Sequence, residues 1–205
     1  MVGRPLVEEV PLVPPTDGEP SKALRFEISP DAFFQTDPRW LPWMWGWVEE
    51  ALQPQEGSLL FDLYSGVGTF ALPLAQRGCE VWALEESPEA VEDARRNAIA
   101  LGEEKVHVER GRVEDLLPLW LHRRRPQGAV LDPPRAGCQR SVLAALAKAR
   151  VPRLAYVSCD SAILARDLRI LLDLGYRLEW VQPFNLFPRT YHIECVAALS
   201  WGSRG

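Results

Sequence analysis

The chain is poor in what marks several large classes of protein. Four cysteines occur in 205 residues, Cys79, Cys138, Cys159 and Cys195, with no Cys-x-x-Cys pair among them. That spacing disfavours a zinc or iron–sulfur site and offers no disulfide framework. A run of about 18 uncharged apolar residues, the length a membrane helix needs, is absent, and the opening MVGRPLVEEV has no signal-peptide core. A cytoplasmic protein without a membrane partner is the resulting expectation. Basic excess is missing too: the formal net charge is −5. That charge argues against binding nucleic acid by a broad basic surface, and any such contact is expected to be local. Basic residues do cluster at HRRRP, His122 to Pro126, read either as a solvated loop or as a local contact. There is no internal repeat.

What remains is one globular domain of ordinary composition, with 47% hydrophobic and 25% charged residues. Residues 1–30, rich in proline and acidic groups, read as an extended arm ahead of a domain over residues 31–205. From Trp40 onward Met44, Trp47, Val48 and Ala51 recur at helical spacing, with Trp43 and Trp45 off that stripe. After Gly57, short apolar runs alternate with helical segments: SLLFDLY, CEVWALE, KVHVERG, GAVLDPP and RLAYVSC as strands, separated by amphipathic stretches. This alternation predicts an α/β fold with a mostly parallel sheet covered on both faces. The last two runs, YRLEWVQPF and HIECVAALSW, are joined by too few residues for a crossover helix, so they form a terminal antiparallel pair. That ending favours the Rossmann-like sheet of class I methyltransferases over a plain dinucleotide-binding sheet.

The strand ends carry the candidate chemistry. In FDLYSGVGTF an acidic residue precedes Gly66 and Gly68, which let the backbone pass close under a ligand. Alone this is also what any tight strand-to-helix turn needs. Glu85 ends the next strand, where a carboxylate can accept the two hydroxyls of a ribose. Asp132 opens DPPR, a rigid turn after an apolar strand, although two prolines also serve merely to stop a strand. Cys159 follows the fifth strand, as nucleophile or as buried filler.

Together these segments carry a resemblance. FFQTD (Phe33 to Asp37), DLYSGVGTF, DPPRAG (Asp132 to Gly137), YVSCDSAILARDL (Tyr156 to Leu168) and FPRTYHIE (Phe187 to Glu194) resemble, in order, the catalytic domain of the S-adenosylmethionine-dependent RNA uracil-5-methyltransferases. The resemblance implies a cofactor site for S-adenosylmethionine lined by Gln35, Tyr64, Thr69, Glu85 and Asp132. It also implies Cys159 as nucleophile and Glu194 as base, acting on an unpaired uridine in transfer or ribosomal RNA. His192 reads as a supporting group or a core histidine. Family members usually have Asn-Pro after the cysteine, where Asp160 and Ser161 stand here. An aspartate there would tend to raise the thiol's pKa. The RNA-binding domains that usually precede this one find no counterpart, so RNA capture is expected to rest on local arginines such as Arg135 and Arg189, on a partner chain, or on a second copy.

The residue types suit that chemistry. Uracil C5 is a weak nucleophile until a thiolate adds at C6, and a base must later remove the C5 proton. Two rivals stay open: methylation of an exocyclic amine, which also uses an Asp-Pro-Pro turn but no cysteine, and a degenerate cofactor- or partner-binding module without activity.

Overall fold

A computed structural model of the chain describes residues 5–14, 22–34, 37–185 and 193–202. It opens with two strands, β1 (Leu6–Pro11) and β2 (Ala23–Ile28), then a 3-10 turn over Pro38–Trp40 and helix α1 (Leu41–Leu52). An alternating series follows: β3 (Leu59–Leu63), α2 (Ala71–Gln76), β4 (Glu80–Glu85), α3 (Pro88–Ala100), β5 (Val106–Arg110), α4 (Val113–Arg123), β6 (Gly128–Leu131), α5 (Arg140–Ala149), β7 (Arg153–Ser158) and α6 (Ser161–Asp173). Strands β8 (Tyr176–Phe184) and β9 (Glu194–Trp201) close it.

Seven strands form one sheet in the order β5-β4-β3-β6-β7-β9-β8, parallel except for β9 and β8. The central strands are buried on both faces, which is why they read as continuous apolar runs. Their residues still alternate between two cores. Leu60, Val130, Ala155 and Val196 join α1, α2 and α3 on one side. Phe61, Leu131, Tyr156 and Ala197 join α4, α5 and α6 on the other. The strand order reverses between β3 and β6, so the carboxyl ends of those two strands frame a crevice. The expected parallel sheet with an antiparallel end is therefore the observed one.

Three local readings need correction. Within the first 30 residues, taken as an extended arm, β1 and β2 pair in antiparallel register, and Val10, Leu24, Phe26 and Ile28 are buried in the α1–α3 core. The alternation Leu24, Phe26, Ile28 gives one apolar face, and α3 anchors it: Asn97 Oδ1 accepts from the Glu27 amide at 2.8 Å, and Asp93 accepts from the Ser29 amide at 2.6 Å and hydroxyl at 2.8 Å. A boundary at residue 30 thus runs through a shared core. The ribbon also explains α1, which packs on the sheet with one side and under β2 with another. Trp45, off the predicted stripe, is 2% exposed against Phe26, while Trp43 is 47% exposed.

The third correction is α4, which the sequence reading passed over. Val113, Leu117, Trp120 and Leu121 make its buried stripe, and Glu114 and Asp115 suit its first turn. Pro118 and the arginine run hid it. His122 and Arg123 lie in its last turn, and Arg124 stacks 3.3 Å from the centroid of the Trp82 ring.

Candidate active site

The turn after β3 begins with strain. Tyr64 has φ +65°, and Gly66 and Gly68 follow at +54° and +90°, a left-handed path that glycine adopts without penalty and tyrosine does not. The path leaves a cavity of about 760 Å³ against the carboxyl ends of the strands. Tyr64, Ser65, Gly66, Thr69, Glu85, Asp132, Arg135, Cys159 and Glu194 all line it. So β3, β4, β6, β7 and β9 bring together residues that span 130 positions of sequence, from 64 to 194.

Of the residues singled out from the sequence, Gly68 does not line the cavity. A Cβ there would come within 3.2 Å of the Leu72 side chain, so this glycine serves the packing of α2. Gln35, Arg189 and His192 lie outside the described residues. Thr69 is 7% exposed, and its carbonyl accepts from Trp45 Nε1 at 2.9 Å, so the off-stripe tryptophan holds the floor of the site.

Glu85 is pre-oriented. One carboxylate oxygen accepts from the Gly66 amide at 2.9 Å, and the other from the amides of Glu86 and Ser87, each at 2.9 Å. Below it, both oxygens of Asp62 and the hydroxyl of Ser65 are buried without a hydrogen-bond partner among the described residues. Burial pushes the Asp62 carboxyl up to about 7, with Glu85 adding to the shift. The Ala71 amide opposes it, without reaching hydrogen-bond geometry. Burial likewise lifts Glu194 to about 7, and Asp132 well above the carboxylate range, with Glu194, Asp62 and Glu85 reinforcing it. Asp132 keeps intermediate exposure because it lines the cavity. Burial thus favours the neutral form of Asp62, Asp132 and Glu194 at this end of the sheet.

Cys159 is half-buried, one residue past β7. Burial raises its pKa, Glu194 and Asp132 push in the same direction, and the positive charge of Arg135 offsets only part of that rise. Asp160 is not part of that balance. Its carboxylate caps α6, accepting from the amides of Ala162 and Ile163 at 3.0 Å each, so the charge expected to disturb the thiol is directed at a helix N-terminus. Cys79, Cys138 and Cys195 are buried.

Sequence reasoning missed Glu114, which accepts from the Tyr64 hydroxyl at 3.2 Å, together with Arg112 and Phe33. All three line the cavity, Phe33 at 70% exposure. The acidic first turn of α4 was the available signal for Glu114. Among the described residues, no group of three or more His, Cys, Asp or Glu could hold a metal ion, and no helix is long and apolar enough to cross a membrane.

A seven-stranded sheet of this order, with a glycine turn after its first parallel strand and an acidic residue ending the second, defines a class I methyltransferase domain. The family model described as tRNA (Uracil-5-)-methyltransferase matches residues 19–201, and the chain belongs to that family. Curated relatives named as uncharacterized RNA methyltransferases include one from Listeria monocytogenes, 40% identical over 177 residues, and one from Oceanobacillus iheyensis, 40% identical over 178. Each alignment covers 86% of this chain but only 38% and 39% of the relative, so the chain spans less than two-fifths of those proteins' length. Among solved structures, the Pyrococcus abyssi tRNA (uracil-54, C5)-methyltransferase in complex with S-adenosyl-L-homocysteine is similar with a TM-score of 0.74 and 31% identity. That match covers 86% of this chain and 42% of the other. A precorrin-6y C5,15-methyltransferase from Geobacter metallireducens shares the fold alone, at TM-score 0.65 and 14% identity, over 95% of this chain and all of that one.

Proposed function

We propose that this domain binds S-adenosylmethionine and methylates C5 of an unpaired uridine in RNA through a covalent adduct with Cys159. The observation that carries the reading is the meeting, in one cavity, of a half-exposed thiol and a buried carboxyl group from strands far apart in sequence. The polar lining suits the cofactor. Glu85 stands ready for a ribose, and Ser65 and Asp132 line the same cavity as polar partners for the rest of the ligand. When bound, S-adenosylmethionine supplies an electrophilic methyl group.

The chain's own residues do the rest. The Cys159 thiolate adds to C6 of the uracil ring, and the electron pair of the C5–C6 double bond moves into an enolate that makes C5 nucleophilic. Once C5 carries its methyl group, Glu194 takes the remaining C5 proton. The C5–C6 double bond re-forms as the C6–S bond breaks, returning the thiolate. With its pKa near 7, Glu194 is matched to accept a proton at neutral pH. The uridine must be unstacked to reach this depth, which requires single-stranded or flipped-out presentation.

Trapping tests the reading. Incubation with S-adenosylmethionine and RNA containing 5-fluorouridine should leave a covalent species whose added mass maps to Cys159, because fluorine at C5 cannot leave as a proton. Cys159→Ala should give none, and Glu194→Gln should accumulate adduct even on ordinary uridine. Methylated RNA without any trapped adduct would instead point to an exocyclic amine as acceptor. Failure to bind the cofactor at millimolar concentration would leave the inactive module as the reading.

A further inference from the structure

We propose that the outer face of helices α5 and α6 is an RNA-contacting surface, on which Arg140, Lys148 and Arg169 take phosphates of the strand that flanks the bound uridine. The inference rests on RNA being the substrate and names the surface that receives it. Charge is its first support. Residues 133–159 contain Arg135, Arg140, Lys148, Arg150 and Arg153 and no aspartate or glutamate. The rest of a chain of net charge −5 is therefore more acidic than the whole, and the basic excess is concentrated in one stretch.

Folding puts that excess outside. Helix α5 turns Val142, Leu143, Leu146 and Ala147 inward. Arg140 and Lys148 are exposed on its outer side, eight residues and about 12 Å apart along the axis. Helix α6 packs beside α5 and withdraws its acidic groups. Asp167 is fully buried, accepting from the Cys138 amide at 2.8 Å and the Tyr156 hydroxyl at 2.5 Å, and Asp160 caps the helix. Arg166 and Arg169 stay exposed. Arg169 meets Asp173 at 3.2 Å with both side chains more than half exposed, a surface pair weak enough for a phosphate to displace. Arg140 and Lys148 form no ion pair among the described residues. The flanking elements expose acids instead, Asp115 on α4 and Glu179 on β8, so a polyanion is steered onto the strip between them.

The strip is continuous with the cavity. Ala136, Gly137 and Gln139 belong to the cavity lining, Gln139 is the N-cap of α5, and Arg166 of α6 donates to the Ala136 carbonyl at 2.8 Å. A strand leaving the uridine pocket on this side meets Arg140 first. This continuity favours the substrate's own backbone over an acidic protein as the occupant.

Filter binding of a uridine-loop RNA to the intact chain over a salt series tests the surface. Arg140→Gln, Lys148→Gln and Arg169→Gln should each make the slope of log K against log salt shallower by about 0.7, the single-strand value for one phosphate contact. Their melting temperatures should match wild type, which separates lost contacts from misfolding. Arg123→Gln, in the HRRRP run, should leave the slope unchanged. A wild-type slope in both the Arg140 and Lys148 variants overturns the proposal, as does a loss confined to Arg123→Gln or a wild-type protein that retains no RNA at low salt. Slopes that fall as expected in a protein forming no adduct with 5-fluorouridine RNA would uphold the surface and remove the uridine reading. Adduct formation with every slope unchanged would remove the surface alone.

Discussion

Asp160 stands one residue past Cys159, where its charge reads as a threat to the thiolate, but the carboxylate turns onto the amides of Ala162 and Ile163. Asparagine caps a helix about as well as aspartate, so Asp160→Asn should change neither the melting temperature nor the pH midpoint of Cys159 alkylation by iodoacetamide. Asp160→Ala should lose about 1 kcal/mol of stability by thermal melt. Asp62 behaves differently. Its folded pKa near 7 lies above the ordinary 3.8, so the folded state holds a proton that the unfolded chain releases across that interval. The associated stability is complete below pH 4 and is lost as pH rises through 7, at about 1.4 kcal/mol per unit. Glu194, also raised to about 7, adds in the same direction. Melts of the ligand-free protein should therefore fall between pH 4 and pH 7, and Asp62→Asn should flatten that fall. Parallel declines in variant and wild type would show that Asp62 is not its source.

At the scale of elements, the β1–β2 ribbon and α1 act as one unit beneath the site. Phe26 packs on Trp45, and Trp45 donates to the carbonyl of Thr69, which lines the cavity. Trp45→Phe keeps an aromatic side chain and leaves that buried carbonyl without its donor. The loss should be about 1–3 kcal/mol in chemical denaturation, together with weaker S-adenosylmethionine binding by calorimetry, because the Gly66–Thr69 turn loses its support from below. A stability loss with unchanged affinity would confine Trp45 to packing. Phe184 shows similar coupling: it lies 5.0 Å from Trp47 and 6.1 Å from Trp40, joining α1 to the end of β8.

For the whole molecule, charge and topology set the terms of RNA binding. Helix α4 starts at the cavity, with Val113 in its lining, and leads into the amino end of β6. The HRRRP run therefore lies at the edge of the sheet opposite the site, with Arg124 stacked on Trp82. A chain of net charge −5 with few cations at its cavity should release few counterions. Filter binding of a uridine-loop RNA over a salt series should give a shallow slope of log K, about −0.7 per phosphate and equivalent to roughly two to four contacts. A steep slope, or equal affinity for duplex, would mean that a second copy or another chain completes a basic surface.

The sequence by itself determined the sheet and the outline of the site, because both are written in local patterns. Apolar runs alternating with helical stripes specify parallel strands, and motifs at strand ends fall at the carboxyl edge wherever such a sheet forms. Cys159, Glu85 and Asp132 were legible for that reason. Tertiary structure alone decided what depends on partners distant in the chain. Trp45 is core only because β2 covers it, Asp160 is harmless because α6 starts where it does, and Gly68 packs rather than lines because Leu72 lies against it. Asp167 carries no local signal at all. Its meaning comes from a turn 29 residues earlier that brings the Cys138 amide to its carboxylate, and burial sets pKa values that no linear pattern records.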